Sequence, residues 1–272
     1  MHWPSSRKKW AYYKRRKAMQ HPSLLPDFPR PLLFAHRGLN RIFLENTIEA
    51  FRAAHDAGVP GIELDVHLTL DGALVVFHDD TSGRIEKQVN PSAPERNLSI
   101  EGSTLAELRA LSIGPRIPLL DELFETFGNR MYYDIELKCR SASDTGLASS
   151  VAASIHRHGL EKHCVISSFN PFALRHFRKA EPDIPIGIIW NKSKELYWFL
   201  RHGEGTLIAN ADFLKPEFPI AAHLLLYLRI LARRPIVPWT VNDVSIARKL
   251  LKGGAEGIIS DEADAVRAAV WH

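Results

Sequence analysis

Two histidines close short β-rich runs, His36 in LLFAHRG and His78 in ALVVFHDD. Between them GIELDV sets Glu63 and Asp65 two residues apart, and MYYDIELK carries Glu136 and Lys138 at the same spacing. Side chains two apart in a strand share a face, so each of these pairs points one way. A buried carboxylate without a partner is costly, so positive charge must sit among the acids. Two arrangements satisfy this. In one, Arg37 or Lys138 forms ion pairs with Glu63 or Glu136. In the other, carboxylates from two strands, with no thiolate among them, hold a hard divalent cation such as Mg²⁺ or Ca²⁺. A lone histidine at a strand end is ordinarily structural. Two of them beside an acidic cluster have the makeup of an acid and base pair acting across a substrate. Arg37 adds a planar fork suited to a phosphate or carboxylate, so phosphate chemistry is the leading expectation.

The elements that must position these side chains are legible in the alternation of short apolar runs with longer amphipathic ones. Candidate strands are 32–35, 61–66, 131–137, 164–169, 184–190, 211–214, 235–241 and 257–260. Helix-like segments lie between them. One ends at Gly58, another at Gly128, a third opens with Pro171 in its first turn, and DEADAVRAAV closes the chain. Strand and helix in alternation argue for parallel βαβ units, and eight strands in this length fit a single-domain α/β chain folded as a (β/α)₈ TIM barrel. A doubly wound open sheet is the alternative, but no GxGxxG follows the first strand and no GxxxxGK[ST] occurs. GIELDVHLTLDGALVVFHDD reads as two buried strands joined at Asp71-Gly72. The stretch from Asp80 to Pro118 is too long for an ordinary connection and reads as an irregular lid or substrate wall.

Composition bounds the rest. The chain has 272 residues, 45% of them hydrophobic, and a net charge of +4. Residues 1–30 carry eight Lys or Arg against Asp27 alone, more than the whole excess, so the body, residues 31–272, is net acidic. The basic, aromatic arm reads as a loosely packed extension with an anionic membrane surface as its alternative partner, and the acidic body argues against nucleic acid. Cys139 and Cys164 are too few for a disulfide framework and read as reduced thiols. The arm lacks the apolar run of a secretory signal, and Ile220–Ala232 is too short to span a bilayer. A cytoplasmic, soluble or membrane-peripheral protein is expected.

The motifs HRG (36–38), ENT (45–47), GIELDV (61–66), DG (71–72), HDD (78–80), IELK (135–138), SSFNP (167–171) and WTVND (239–243), in this order, resemble those of the glycerophosphodiester phosphodiesterase family. The resemblance runs from about residue 32 to 265 and departs at Leu44, where the family usually has proline. It implies a TIM barrel holding Mg²⁺ or Ca²⁺ through Glu63, Asp65 and Glu136, with His36 and His78 as general acid and base. Arg37 and Lys138 would contact the phosphate, and Trp239 would stand as an aromatic wall to the substrate. The implied reaction, in lipid and glycerol metabolism, converts a glycerophosphodiester to glycerol 3-phosphate and an alcohol. Alternatives are a related barrel phospholipase, of lysophospholipase D, sphingomyelinase D or phosphoinositide-specific type, and a membrane-peripheral module that only binds lipid headgroups. Among other residues, Asn46 is as much a helix cap as a contact, Asp79 orients a neighbour or ends a turn, Lys215 is expected in solvent, and Cys139 is a packed thiol.

Overall fold

The strands in chain order are β1 (Leu32–His36), β2 (Gly61–Leu68), β3 (Leu74–Val76), β4 (Tyr132–Leu137), β5 (Cys164–Ser168), β6 (Ile186–Trp190), β7 (Phe213–Pro216) and β8 (Gly257–Ser260). The computed structural model describes residues 24–92, 96–194 and 196–270, so most of the basic arm lies outside the described residues. The sheet runs β7-β6-β5-β4-β2-β1-β8 with every neighbour parallel, and β3 lies antiparallel on β2. Residues 235–241, expected as a regular strand, instead make only isolated bridges, Ile236 to Leu214 of β7 and Trp239 to Glu217 just past its end. Pro235 and Pro238 remove two amide donors there, which interrupts a ladder. The segment still joins both sheet edges: Val237 donates to the Leu214 carbonyl at 2.9 Å, and Ile259 donates to the Pro238 carbonyl at 3.0 Å. The ring closes as a TIM barrel.

The inward-facing side chains change character along each strand. Leu32 and Phe34 precede His36, Tyr132 precedes Asp134 and Glu136, Val165 precedes Ser167, and Phe213 precedes Lys215. The first members, with Val237 and Ile259, form one buried apolar cluster, onto which Leu24 and Leu25 also pack. Charge is thereby confined to the carboxyl ends of the strands, the face on which barrels build their sites. Gly61 makes this possible on β2, because a Cβ there would lie 2.0 Å from the Tyr132 ring.

Ten helices among the described residues surround the ring: α1 (Ile48–Asp56), α2 (Gly83–Val89), α3 (Leu105–Arg109), α4 (Leu120–Phe127), α5 (Leu147–His158), α6 (Pro171–Ala180), α7 (Gly205–Ala209), α8 (Phe218–Ala232), α9 (Val244–Lys252) and α10 (Ala263–Val270). Thr47, Asn170 and Asp243 cap α1, α6 and α9 by accepting from backbone amides of the first turn. Parts of the ENT, SSFNP and WTVND motifs are therefore scaffold. The stretch from Asp80 to Pro118 is more ordered than expected: it holds α2 and α3 over a separate apolar cluster that includes Phe77, Ile85, Ile100 and Leu108. None of the described helices is long and apolar enough to cross a membrane.

Candidate active site

Register brings the acids together before any side chain is considered. β2 and β4 are paired so that Glu63 faces Asp134 and Asp65 faces Glu136, while His36 on β1 lies beside Glu63. One carboxylate oxygen from each of Glu63, Asp65 and Glu136 falls within 4.8 Å of the others, and all three residues are buried. Ion pairs of the kind the sequence allowed form beside the triad. Lys138 reaches Glu136 at 3.0 Å and Asp65 at 3.5 Å, and Arg37 reaches Asp65 at 3.3 Å. Burial opposes the charge of Asp65, but Lys138 and Arg37 outweigh it and hold the carboxyl far below its ordinary range. Glu63 goes the other way: burial, then the neighbouring Asp65, pushes it well up. Its Oε2 is buried and accepts no hydrogen bond. Hard oxygen donors converging on a buried, unpartnered carboxylate oxygen fit a divalent cation.

His78 returns to this cluster through the β2–β3 hairpin. The chain leaves the barrel along β2, turns at Thr69–Ala73, and comes back until the Phe77 amide donates to the Asp65 carbonyl at 3.0 Å. That is the structural use of the Asp71-Gly72 turn. His78 Nδ1 lies 2.6 Å from Asp79, which Arg84 grips through two nitrogens. Arg84 continues to Glu45 at 2.7 Å, and Glu45 to Arg37 at 3.0 Å. A single polar chain therefore links the HDD, ENT and HRG motifs. Burial opposes the charge at Glu45, but Arg84 and Arg37 hold it low.

His36 is held in the same way from the other side. Its Nδ1 lies 2.6 Å from Asp261, and its Nε2 points toward Glu63 at 3.9 Å. Asn40 and Asn242 donate to Asp261 at 2.6 and 2.8 Å. Asp261 is absent from the sequence reading, since nothing local marks an aspartate after β8 as the partner of an imidazole on β1. Asp134, also absent there, was reachable by the same alternation that selected Glu136.

Other readings are resolved individually. Asn46 does not cap α1, which Thr47 does; it donates to Asp65 at 2.8 Å and so fixes a carboxylate. Arg37 and Asn46 both adopt the left-handed backbone, at φ of 54° and 55°, a conformation that folded chains retain where geometry is specified from around it. Lys215 overturns its expectation: it is 1% exposed, bonds Ser167 at 2.9 Å and pairs with Asp134 at 2.7 Å. The buried carboxylates of Asp134 and, at 4.0 Å, Glu63 offset the cost of burying its charge. Trp239 donates to the Lys215 carbonyl at 3.0 Å and sets its ring edge-on to Phe169. Cys139 is a half-buried free thiol beside Thr145.

Comparison with known proteins gives the chain a family and relatives of the same fold. The family model described as "Glycerophosphoryl diester phosphodiesterase family" matches residues 36–265. The chain is 32% identical to a glycerophosphodiester phosphodiesterase of Caldanaerobacter subterraneus over 86% of its own length and 95% of that protein. Among solved structures it is similar to an Oleispira antarctica phosphodiesterase in complex with the product sn-glycerol-3-phosphate, at 26% identity and a TM-score of 0.68 over 88% of this chain and 96% of that one. It is also similar to a glycerophosphodiester phosphodiesterase of Thermotoga maritima, at 28% identity and a TM-score of 0.68, over 88% and 97%.

Proposed function

The chain belongs to the glycerophosphoryl diester phosphodiesterase family, and from that premise we propose how its residues divide the work. The enzyme is a phosphoric diester hydrolase that converts a glycerophosphodiester to glycerol 3-phosphate and an alcohol. Glu63, Asp65 and Glu136 would hold Mg²⁺ or Ca²⁺, which when bound supplies Lewis-acid polarisation and counter-charge at a phosphoryl oxygen. Arg37 and Lys138 face the same space and oppose the negative charge that builds on the equatorial oxygens as phosphorus is attacked.

His36 and His78 carry the protons. Each has Nδ1 committed to an aspartate, Asp261 or Asp79, which leaves Nε2 as the nitrogen that exchanges with substrate. One ring takes the proton of the nucleophile, either water or the neighbouring glycerol hydroxyl, and the other protonates the departing oxygen. Trp239 forms one wall of the substrate space. In this reading the enzyme acts in the cytoplasm, and residues 1–30 contact an anionic membrane surface. The observation that carries the assignment is the convergence of the acid triad, two basic groups and two aspartate-held imidazoles on one end of one barrel.

The test is product analysis. Incubation with glycerophosphodiesters should release glycerol 3-phosphate with Mg²⁺ or Ca²⁺ present and none with chelator, and Glu63→Gln should abolish turnover while circular dichroism stays unchanged. Full activity of metal-stripped Glu63→Gln would exclude the mechanism. A cyclic phosphate or ceramide phosphate as product would move the enzyme to the related phospholipases.

A further inference from the structure

Two loops at the mouth carry large apolar side chains that the core does not use. After β6, Tyr197 and Trp198 are 69% and 76% exposed, and both pack on Phe199. After β1, Ile42 is 68% exposed beside a half-exposed Phe43. In a ring of parallel strands, segments that follow the strands all emerge at one end, so both loops share the end that carries His36, His78 and the acid triad. Ring order places β1 and β6 four positions apart out of eight chain segments, on opposite sides of the opening.

The aromatic tip is built to stay out. Leu200 is buried and anchors the turn, while Arg201 donates to the Leu196 and Lys194 carbonyls at 2.9 and 3.0 Å. Exposed Lys192 and Lys194 flank it, and on the opposite loop Arg41 stands beside Ile42, paired with Glu262 at 3.2 Å. Trp and Tyr favour the headgroup level of a bilayer, and nearby lysines favour anionic lipid. Apolar patches on opposite sides of one opening can both touch a flat surface laid across the mouth, which suits such a surface better than a groove-binding peptide.

We propose that the mouth rim, through Ile42 and Phe43 on one side and Tyr197, Trp198 and Phe199 on the other, docks onto an anionic phospholipid surface so that the site opens toward the lipid. This extends the hydrolase reading toward substrates that retain an acyl chain at a membrane, and it rests on that reading only for the substrate. The contact is separate from residues 1–30, which remain in every protein compared below.

The full-length protein and two double variants, Tyr197→Ser/Trp198→Ser and Ile42→Ser/Phe43→Ser, are sedimented with vesicles of phosphatidylcholine alone or mixed with phosphatidylglycerol. The parent protein should partition onto the mixed vesicles, and each variant should bind them about tenfold more weakly. Both variants should hydrolyse soluble glycerophosphocholine at the parent rate, while hydrolysis of vesicle-borne lysophospholipid falls. Parent-like partition of both variants overturns the proposal, as does equal binding to neutral and anionic vesicles. A parent dimer in solution that the variants dissolve also overturns it, by assigning the rim to a second copy of the chain. If the parent protein fails to cleave any soluble glycerophosphodiester, the hydrolase reading falls while the vesicle result still stands or fails by itself.

Discussion

An imidazole works as a proton carrier only if its tautomer and direction are fixed, and here an aspartate fixes each one from behind. Asp261→Asn keeps the shape but removes the charge that orients His36, so kcat should fall by roughly 10²-fold with KM little changed. Asp261 also predicts a pH effect on stability. Burial opposes its charge, yet His36, Asn40 and Asn242 hold its carboxyl well below the usual range. A carboxyl lowered on folding lends stability that is complete above its unfolded value, about 4, and is lost as pH falls toward its folded value. Thermal unfolding followed from about pH 7 to about pH 3 should show Asp261→Asn less stable than the parent at neutral pH and less steeply destabilised by acid. Parallel curves for the two proteins would assign Asp261 no such role.

Strands and their connections decide which of these groups can meet. The β2–β3 hairpin carries His78 from a sequence position far past the mouth back to Asp65, and the β2–β4 register stacks Asp134 and Glu136 against Glu63 and Asp65. Beneath this layer Lys215 on β7 reaches across the interior to Asp134 on β4. Removing one partner of a buried pair strands the other charge, so Lys215→Met should cost about 3–5 kcal/mol in urea denaturation. Lys215→Met/Asp134→Asn should recover part of that loss, because the stranded carboxylate is gone. Additive losses would mean that the two side chains act independently. The lysine was misjudged from sequence because its neighbours in the chain, Leu214 and Pro216, say nothing of Asp134 across the barrel.

For the whole molecule, the barrel supplies the rigidity, and a divalent cation held by the triad would complete the charge balance of its mouth. The apolar interior and the closed ring do not depend on that cation. Chelation should therefore abolish hydrolysis and lower the unfolding temperature while leaving the circular dichroism spectrum folded. Readdition of Mg²⁺ or Ca²⁺ at about a hundredfold over Kd should return about 2.7 kcal/mol of stability. Glu63→Gln should show little of this shift, and calorimetry on the two proteins would decide it.

Alternating strand and helix patterns determined the barrel, and charges at the carboxyl ends of strands marked Glu63, Asp65, Glu136, His36, His78, Arg37 and Lys138 as the side chains that gather at one end of it. Those features are periodic or local, so a linear chain displays them. Tertiary structure alone decided that Asp261 backs His36, that Arg84 ties Asp79 to Glu45, that Asn46 serves Asp65 and that Lys215 lies inside. Each of these depends on closure of the ring or on a returning loop, which brings together residues up to 225 positions apart. Closure also turned a proline-broken segment, 235–241, into the seam of the barrel, since an edge satisfied on both sides needs only the carbonyls and amides that the prolines leave.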